Sequence, residues 1–297
     1  MTEEHAYHCG FVAIVGRPNV GKSTLMNHLI GQKVSITSKK AQTTRHRVNG
    51  IHTEDNAQFI FVDTPGFQTF HKGALNETLN KSVKDSLGSV DCVLFILEAM
   101  RCSAADREVM ALLPKHTPVI LVINKLDKVK DKLLLQEFID GVRAEFQFAD
   151  CEVVSAKHGQ RLSELLDKVR PHLPESMPLY PEDMVTDKSE RFLSAEIVRE
   201  KLFRYLGEEL PYEMNVEVEM FEMDGALRRI HIAILVDKEN QKPIVIGKGG
   251  EKLKKISTEA RLDMEKLFDG KVFLQVWVKV KSGWADDVRF LREFGLN

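Results

Sequence analysis

The sequence predicts an α/β protein of two domains, a doubly wound parallel sheet followed by a smaller α+β domain. Three observations carry this prediction. Apolar runs alternate with helical patterns from residue 11 to 172, four prolines fall together at 171–181, and the later strands alternate apolar with polar residues. Continuous apolar strands are typical of a buried parallel sheet, and alternating strands of a sheet with one exposed face. With 297 residues the chain also exceeds one usual core.

In the first domain, strand-like runs are separated by segments with helical periodicity. A helix is predicted at Lys22–Ile30, which Gly31 can end. Strands are predicted at 11–15, 92–97, 118–124 and 151–155, and two more strands on either side of Glu54–Asn56 are predicted to form a hairpin. The other helices are predicted at 73–88, 103–113, 131–147 and 160–171. Strand, helix and strand repeated in this way imply right-handed crossovers and a doubly wound sheet.

The proline cluster predicts a boundary, because proline lacks an amide donor and restricts the residue before it. We expect a first domain at 1–173, a semi-rigid linker at 174–188 and a second domain at 189–297. The second domain reads as helix, two alternating strands, helix, a glycine loop, helix and strand. Its alternating strands favour an antiparallel-rich sheet with one helical layer.

Composition excludes several classes of protein. The net charge is −2, so any nucleic-acid surface must be a local patch. The four cysteines are scattered without CxxC spacing, which favours reduced thiols over a metal site or disulfides. The N-terminal segment is polar and acidic, unlike a signal peptide, and no apolar run is long enough to span a bilayer.

The segment GRPNVGKS fits the pattern G-x-x-x-x-G-K-[ST] between a predicted strand and a predicted helix. Glycines let backbone amides curl around phosphates, and the helix N-terminus favours their charge. Lys22 can reach the β- and γ-phosphates, and the Ser23 hydroxyl can bind magnesium. The predicted phosphate loop comprises Gly16, Arg17, Pro18, Asn19, Val20, Gly21, Lys22, Ser23 and Thr24.

Three further motifs follow in order, each at the end of a predicted strand, where open α/β sheets bind ligands. In DTPG, Asp63 can hold magnesium through water and the Gly66 amide can face the γ-phosphate. In NKLD, the Asp127 carboxylate can accept two hydrogen bonds from guanine, which adenine cannot offer, so a polar site of this kind rejects the wrong base by about 10⁴-fold or more. The Lys125 stem can lie over the purine ring. In SAK, at 155–157, the Ala156 amide can meet guanine O6. The candidate nucleotide-binding residues are Asp63, Thr64, Pro65, Gly66, Asn124, Lys125, Asp127, Ser155, Ala156 and Lys157.

The polar, basic segment at 38–50 lies where such enzymes keep a mobile switch. Thr43 and Thr44 are both candidates to meet magnesium and the γ-phosphate, and Thr44 is favoured of the two. The alternative is a solvated loop with incidental threonines. The predicted magnesium ligands are therefore Ser23, Thr44 and Asp63. Where Ras-type GTPases carry a water-orienting glutamine, this chain has Phe67. We therefore expect slow unaided hydrolysis, with Lys22, Thr44 and Gly66 as the catalytic residues.

The second glycine loop, GKGG at 247–250, lacks the spacing and the Ser or Thr of a nucleotide loop. G-x-x-G before a helix, after α-β-β, fits a KH module, which clamps a single-stranded nucleic-acid backbone. Five nearby lysines face one glutamate, and two isoleucines could line an apolar floor for bases. The alternative is a tight turn beside a solvated helix face. The predicted RNA-binding residues are Ile244, Ile246, Gly247, Lys248, Gly249, Gly250, Lys252, Lys254 and Lys255.

Taken together, GRPNVGKS, QTTRH, DTPG, NKLD, SAK and IVIGKGGEKLK after a proline linker resemble the Era family of bacterial GTPases. The resemblance covers essentially the whole chain. It implies a P-loop NTPase sheet (G domain) and a type II KH domain, with GTP and GDP as ligands and Mg²⁺ as cofactor. It also implies binding of the 3′ end of 16S rRNA and of the 30S subunit precursor, and a role in 30S assembly.

Further expectations rest on the same resemblance. Potassium substitutes for an arginine finger in related GTPases, and Asn19 occupies the position that holds it. A cytoplasmic, monomeric protein with partial peripheral contact at the inner membrane is implied. Three alternatives stay open: a GTPase acting on protein or membrane partners with the C-terminal domain as a docking module, an ATPase that remodels nucleic acid, and an RNA-binding protein with an inactive nucleotide site. Asp127 argues against the second, and the presence of Lys22, Ser23 and Asp63 against the third.

Overall fold

The computed structural model describes residues 6–38, 40, 43–66, 80–81, 83, 85–207 and 210–283. Its contacts divide these residues into two compact units. The first holds the described residues within 6–35, 44–66 and 80–187, and the second those within 36–43 and 188–283. The boundary therefore falls inside the predicted switch segment, between Thr43 and Thr44.

The first unit is built on a six-stranded sheet with the order β2-β3-β1-β4-β5-β6. β2 runs antiparallel to β3, and the other neighbouring strands are parallel. The strands are β1 His8–Val15, β2 Val48–Glu54, β3 Ala57–Asp63, β4 Cys92–Glu98, β5 Val119–Asn124 and β6 Asp150–Val153. The order changes direction at β1, so the carboxyl ends of β1, β3 and β4 form the crevice in which such folds bind ligands.

Four helices of the first unit are described throughout: α1 Lys22–Ile30, α2 Ala104–Met110, α3 Lys132–Glu145 and α4 Leu162–Val169. Gly21 and Gly31 flank α1 in left-handed conformations, with φ of 108° and 79°, and so define both its ends. At the start of α3, the Asp131 carboxylate accepts hydrogen bonds from two backbone amides. Of the helix predicted at 73–88, the described residues 80, 81, 83 and 85–87 are helical, residue 88 forms a turn, and the others lie outside the described residues.

The core of the first unit confirms the predicted doubly wound sheet. Every residue of β3 and β5 is buried, as are all but the last of β4. A strand that is buried on both faces needs apolar side chains at consecutive positions. The uninterrupted apolar runs in the sequence are therefore explained by burial of these strands on both faces of the sheet.

The second unit has a three-stranded sheet with the order β7-β8-β9. Its elements follow the predicted order: α5 Glu190–Tyr205, β7 Met214–Asp224, β8 Leu227–Val236, α6 Lys242–Ile246, α7 Glu251–Leu267 and β9 Val272–Val280. β7 and β8 are antiparallel, whereas β8 and β9 are parallel because α6 and α7 form a crossover between them. The sheet is thus mixed rather than rich in antiparallel pairs. Apolar residues of α5, α7 and one sheet face form its core.

Up to residue 187, the proline-rich segment predicted as a linker belongs to the first unit and hydrogen-bonds to other residues of that unit. The amide of Cys9 donates to the carbonyl of Pro174 over 3.0 Å, and the amide of Ile51 donates to that of Val185 over 2.9 Å. The Gln58 side chain donates to the carbonyl of Tyr180. Prolines prevent the segment from forming an element of its own, but its carbonyls still accept hydrogen bonds from the neighbouring sheet. Among the described residues, no helix is both long and apolar enough to cross a membrane.

Candidate functional site

The four predicted loops lie at one edge of the first unit's sheet. The phosphate loop follows β1, DTPG begins at the last residue of β3, NKLD begins at the last residue of β5, and SAK follows β6. These four strands are mutually parallel along the sheet. Because the carboxyl ends of parallel strands meet at one edge, the fold brings the loops together.

The two glycines of the phosphate loop stand where no side chain fits. Gly16 has φ of 156°, and an added Cβ would lie 2.6 Å from the Ile96 carbonyl oxygen. At Gly21, with φ of 108°, an added Cβ would lie 2.3 Å from the Asn124 side-chain nitrogen. Backbone amides can therefore approach a ligand without obstruction by side chains.

Lys22 is buried at the start of α1. Its Nζ donates to the carbonyl oxygens of Gly16 and Arg17, over 3.0 and 3.2 Å. Burial lowers the pKa of Lys22 to about 8, although the nearby Asp63 carboxylate favours the charged form. A triphosphate seated in this loop would supply the negative charge that the buried ammonium lacks.

Asp63 gathers three hydroxyl groups at one oxygen. Its Oδ2 accepts hydrogen bonds from Ser23 Oγ and Ser35 Oγ, both at 2.7 Å, and from Thr44 Oγ1 at 3.2 Å. Burial raises the pKa of Asp63, and these hydrogen bonds oppose that rise by favouring the carboxylate. Ser35 was not among the predicted residues. Its place is fixed by Asn27, whose side chain bonds both the amide and the carbonyl of Ser35.

The residues predicted to hold magnesium fit that ion. Asp63 Oδ1 is buried and lacks a hydrogen-bond partner among the described residues, so it can accept a cation or its bound water. The Ser23 and Thr44 hydroxyls lie 3.0 Å apart beside it. Oxygen donors with one carboxylate suit Mg²⁺, which usually completes its shell with phosphate and water. Accordingly, the described residues contain no cluster of three or more His, Cys, Asp or Glu that would hold a metal alone.

The structure separates the two candidate switch threonines. Thr44 contacts Asp63 and Ser23, whereas the Thr43 hydroxyl donates to the carbonyl of Lys40 over 2.9 Å. Both are buried. This geometry supports the choice of Thr44 as the residue that meets the metal.

The DTPG loop packs against the phosphate loop. An added Cβ at Gly66 would lie 2.8 Å from the Pro18 ring, so Gly66 is the residue that allows this approach. The Thr64 hydroxyl donates to the Ile14 carbonyl over 2.9 Å, and thus anchors the loop to β1 instead of facing a ligand. Pro65 is buried. Phe67, which replaces the water-orienting glutamine of Ras-type GTPases, lies outside the described residues.

Asn124 joins the base-reading loops to the phosphate loop. Its side-chain nitrogen donates to the Val20 carbonyl over 2.8 Å, while its Oδ1 accepts from the amides of Lys125 and Ala156 over 2.7 and 2.9 Å. The Ala156 amide, predicted to meet guanine O6, is therefore bonded to Asn124 here. That predicted role requires the amide to share its proton or to change partner when a base binds.

Asp127 is exposed at the sheet edge with its carboxylate held in place. Ser155 Oγ donates to its Oδ1 over 2.5 Å, and this hydrogen bond is the main reason why the pKa of Asp127 is lowered. The carboxylate is thus ionised at neutral pH and oriented. Lys125 takes a left-handed conformation with φ of 68°, and its Nζ donates to the Asn19 carbonyl over 2.9 Å. Lys157 is exposed beside this group.

In the second unit, the GKGG loop lies between α6 and α7. An added Cβ at Gly247 would lie 2.7 Å from Lys252 Cβ, so this position needs glycine. Gly249 and Gly250 have φ of 60° and 80°, and no atom lies within 4 Å of an added Cβ at either. The loop is therefore open on its outer side, and the amides at the start of the 17-residue helix α7 follow it directly.

The predicted RNA-binding side chains are not all equally available. Lys248, Lys254 and Lys255 are exposed, although the Lys255 ammonium also lies 4.6 Å from the ring centre of Tyr205. Lys252 Nζ donates to the Ile244 carbonyl over 3.0 Å. Ile244 is 49% exposed and Ile246 is half-buried, while Val245 between them enters the core. Helical geometry thus turns the two isoleucines in different directions, contrary to a single shared floor.

Two family models match the chain in agreement with this division. The model described as 50S ribosome-binding GTPase covers residues 11–125, and the KH domain model covers residues 209–285. The fold and the loops thus define a GTPase domain followed by a KH domain.

Relatives that match over nearly the whole chain identify the family. The chain is 90% identical to the GTPase Era of Chromobacterium violaceum over 291 residues, covering 98% of both chains. It is 73% identical to the GTPase Era of Neisseria meningitidis, covering 98% of this chain and 95% of the relative. The chain belongs to the Era family of GTPases.

Solved structures agree with this assignment. An Aquifex aeolicus Era variant bound to GDP and AlF4⁻ superposes with a TM-score of 0.93 at 41% identity, covering 97% of this chain and 99% of the other. Era in complex with MgGDPNP and nucleotides 1506–1542 of 16S ribosomal RNA gives a TM-score of 0.93 at 40% identity, covering 98% and 99%. Both comparisons extend over the two units of the chain.

Proposed function

We propose that this chain is a GTP hydrolase that binds GTP and GDP at the four loops of the first unit and 16S rRNA at the GKGG loop, and thereby assists assembly of the 30S subunit. The observation that carries the nucleotide part is the convergence of the four loops, with Asp127 ionised and held by Ser155. The RNA part is supported by the open glycine loop and by the relative in complex with a 16S rRNA segment.

The residues of the phosphate loop bind and orient the triphosphate in this proposal. Backbone amides around Gly16 and Gly21 surround the phosphates, and the buried Lys22 places its ammonium against them. A bound magnesium ion would supply charge stabilisation for the leaving phosphate oxygens, held through Ser23, Thr44 and Asp63. The relative with MgGDPNP supports this cofactor.

Two further parts of the catalytic proposal rest mainly on the family resemblance. Phe67 offers no group to orient water, so unaided hydrolysis is slow. Asn19 is an exposed residue of the phosphate loop with φ of 65°, and we propose that its side-chain oxygen binds a potassium ion. A comparison of hydrolysis in KCl and NaCl, with wild type and Asn19→Ala, tests this site: the potassium effect is expected only in wild type.

We further propose that nucleotide binding controls RNA binding through residues 36–44. Within the second unit, Lys40 Nζ donates to the carbonyls of Leu206 and Gly207, over 2.6 and 2.7 Å, just beyond α5. The Thr37 amide donates to Glu200 of α5 over 3.4 Å. Thr44, one peptide bond after Thr43, belongs to the Asp63 cluster of the first unit. A nucleotide that orders Thr44 therefore acts on the residue that directly follows residues 36–43 of the second unit.

The family resemblance also suggests where the protein is located and its oligomeric state. We place the chain in the cytoplasm as a monomer, with peripheral contact at the inner membrane surface. Sedimentation of membranes from lysed cells, with and without high salt, measures that contact.

Competition with unlabelled nucleotides tests the first part of the proposal. GTP and GDP should displace a labelled guanine nucleotide, and ATP should not, because adenine leaves the Asp127 carboxylate without its two donors. Lys22→Ala should abolish hydrolysis, whereas Lys132→Ala, an exposed lysine at the start of α3, should not. Displacement by ATP at similar concentrations would overturn the guanine assignment.

A pair of substitutions at Gly249 tests the RNA part. Aspartate and asparagine tolerate left-handed conformations, and no atom lies within 4 Å of an added Cβ, so both variants should fold. Gly249→Asp adds negative charge where a phosphate would lie, whereas Gly249→Asn has nearly the same shape without the charge. We expect the aspartate variant to lose salt-sensitive binding of a 16S rRNA 3′ segment and the asparagine variant to lose much less. Equal binding by both variants would favour a protein or membrane docking role for this domain.

A further inference from the structure

The arginine of the phosphate loop is bound by two carboxylates. Arg17 Nε lies 3.0 Å from a carboxylate oxygen of Asp106, and its Nη2 lies 3.2 Å from Glu98 Oε2. Its remaining nitrogen donates to the Pro18 carbonyl. The guanidinium is mostly buried, with 11% of the side chain exposed. These partners therefore hold the phosphate loop at Arg17.

Glu98 also binds the lysine of the base-reading loop. Lys125 Nζ lies 3.0 Å from Glu98 Oε2, and Lys128 Nζ lies 3.2 Å from its Oε1. Burial alone would raise the pKa of Glu98, but hydrogen bonds from Lys125, Lys128 and Arg17 lower it to about 2. One carboxylate thus contacts cations from two different nucleotide loops.

The topology explains why this residue can reach both loops. β4 lies between β1, which leads into the phosphate loop, and β5, which leads into the base-reading loop. Glu98 is the last residue of β4 and is paired in register with Asn124, the last residue of β5. The amide of Ala99 also donates to the Asn124 carbonyl over 2.8 Å.

We propose that Glu98, assisted by Asp106, is a positioning residue for guanine-nucleotide binding: it fixes the phosphate loop through Arg17 and the base-reading lysine through Lys125 before the nucleotide arrives. The proposal rests on the nucleotide site proposed above. Glu98 acts through Arg17 and Lys125, so it affects affinity without taking part in hydrolysis.

A purely electrostatic role predicts the opposite sign. Three cations surround Glu98 and Asp106, so removing the charge of Glu98 leaves more positive charge beside the phosphates. If Glu98 only balanced charge, Glu98→Gln would tighten the binding of GTP, and the gain would fade as salt screens it. If it positions the loops, the same variant weakens binding at low and high salt alike, because the loss is one of geometry.

The experiment compares Glu98→Gln, Glu98→Asp and Asp106→Asn with a control, Glu137→Gln, on the exposed side of α3. We expect Glu98→Gln to weaken GDP binding about tenfold, mostly through faster dissociation, and to raise KM for GTP with kcat unchanged. Asp106→Asn should show a smaller effect in the same direction, since Arg17 keeps Glu98, and Glu98→Asp should recover part of the loss. The control should match wild type.

Inosine triphosphate supplies a further readout, since it lacks the amino group that Asp127 reads. Glu98→Gln should weaken GTP and inosine triphosphate by the same factor, whereas general damage to the base loop would change their ratio. Unchanged or tighter GDP binding in Glu98→Gln, with wild type binding normally, would overturn this inference alone. Failure of the wild-type chain to bind guanine nucleotides would instead overturn the proposed function.

Discussion

Ser35→Ala removes one donor from the buried Asp63 cluster, and the structure sets the size of the effect. Ser35 Oγ lies 2.7 Å from Asp63 Oδ2, and both side chains are nearly inaccessible, at 4% and 0% exposure. A hydrogen bond to a charged group contributes about 1.5–3 kcal/mol. The backbone of Ser35 stays fixed by Asn27, so little rearrangement can offset the loss. We expect the free energy of unfolding of the first unit to fall by about 2 kcal/mol, which lowers Tm by about 4–8 °C.

The effect should depend on pH in a defined direction. Ser35 stabilises the ionised form of Asp63 and so opposes the rise that burial causes in the pKa of Asp63. The hydrogen bond therefore contributes fully at pH values above the raised pKa of Asp63. It contributes less as pH falls through that pKa toward the ordinary aspartate value of about 4. The stability difference between wild type and variant should thus be largest near pH 8 and shrink in acid.

Thermal unfolding of the nucleotide-free protein, followed by circular dichroism at several pH values, measures this prediction. Ser89→Ala is the matched control, because Ser89 is an exposed serine of the same unit. A Tm for Ser35→Ala equal to that of the control would refute the energetic reasoning. A Tm loss of the same size at every pH would refute the role of the carboxylate.

Three other outcomes follow from the same structure. Gly21→Ala should weaken GDP binding about 10- to 100-fold in equilibrium titrations, because a Cβ would lie 2.3 Å from the Asn124 side chain at φ of 108°. Calorimetry in buffers of different ionisation enthalpy should show proton uptake when GTP binds near pH 8, because phosphates favour the charged form of Lys22, whose pKa burial lowers to about 8. GTP affinity should fall as pH rises through that value, and Lys22→Arg should show no proton uptake. Lys40→Ala should reduce the ratio of RNA affinities measured with GTP analogue and with GDP by about fivefold, because it frees residues 36–43 from the carbonyls of Leu206 and Gly207.

Elements with local causes were predictable from the sequence. α1 covers Lys22–Ile30 as predicted, because the glycines at both its ends take left-handed conformations that a side chain disfavours. β1 starts at His8, three residues before the predicted start, because His8, Cys9 and Gly10 pair with β3 although they do not continue the apolar run. Such an extension depends on the partner strand, and apolar periodicity does not record it.

The parts of the site that were missed depend on residues far apart in the chain. Ser35 reaches Asp63 across 28 positions, and Arg17 reaches Asp106 across 89. Ser35 and Glu98 belong to no motif, and the role of Glu98 follows only once the strand order places β4 between β1 and β5. The same holds for the proline segment: its prolines predict that it forms no helix or strand, but they do not predict which strands of the sheet it hydrogen-bonds to.

The two glycine–lysine loops differ in what surrounds them, and this difference accounts for the two phosphate ligands proposed. In the first loop, Ile96 and Asn124 stand within 2.6 Å of where a Cβ would be, and the lysine is buried. An enclosed loop suits the end of a triphosphate, which enters from one side and stops. In the second loop, Gly249 and Gly250 face open space and Lys248 is exposed. A polynucleotide must enter and leave past the phosphate that is held, so only an open loop can bind its backbone.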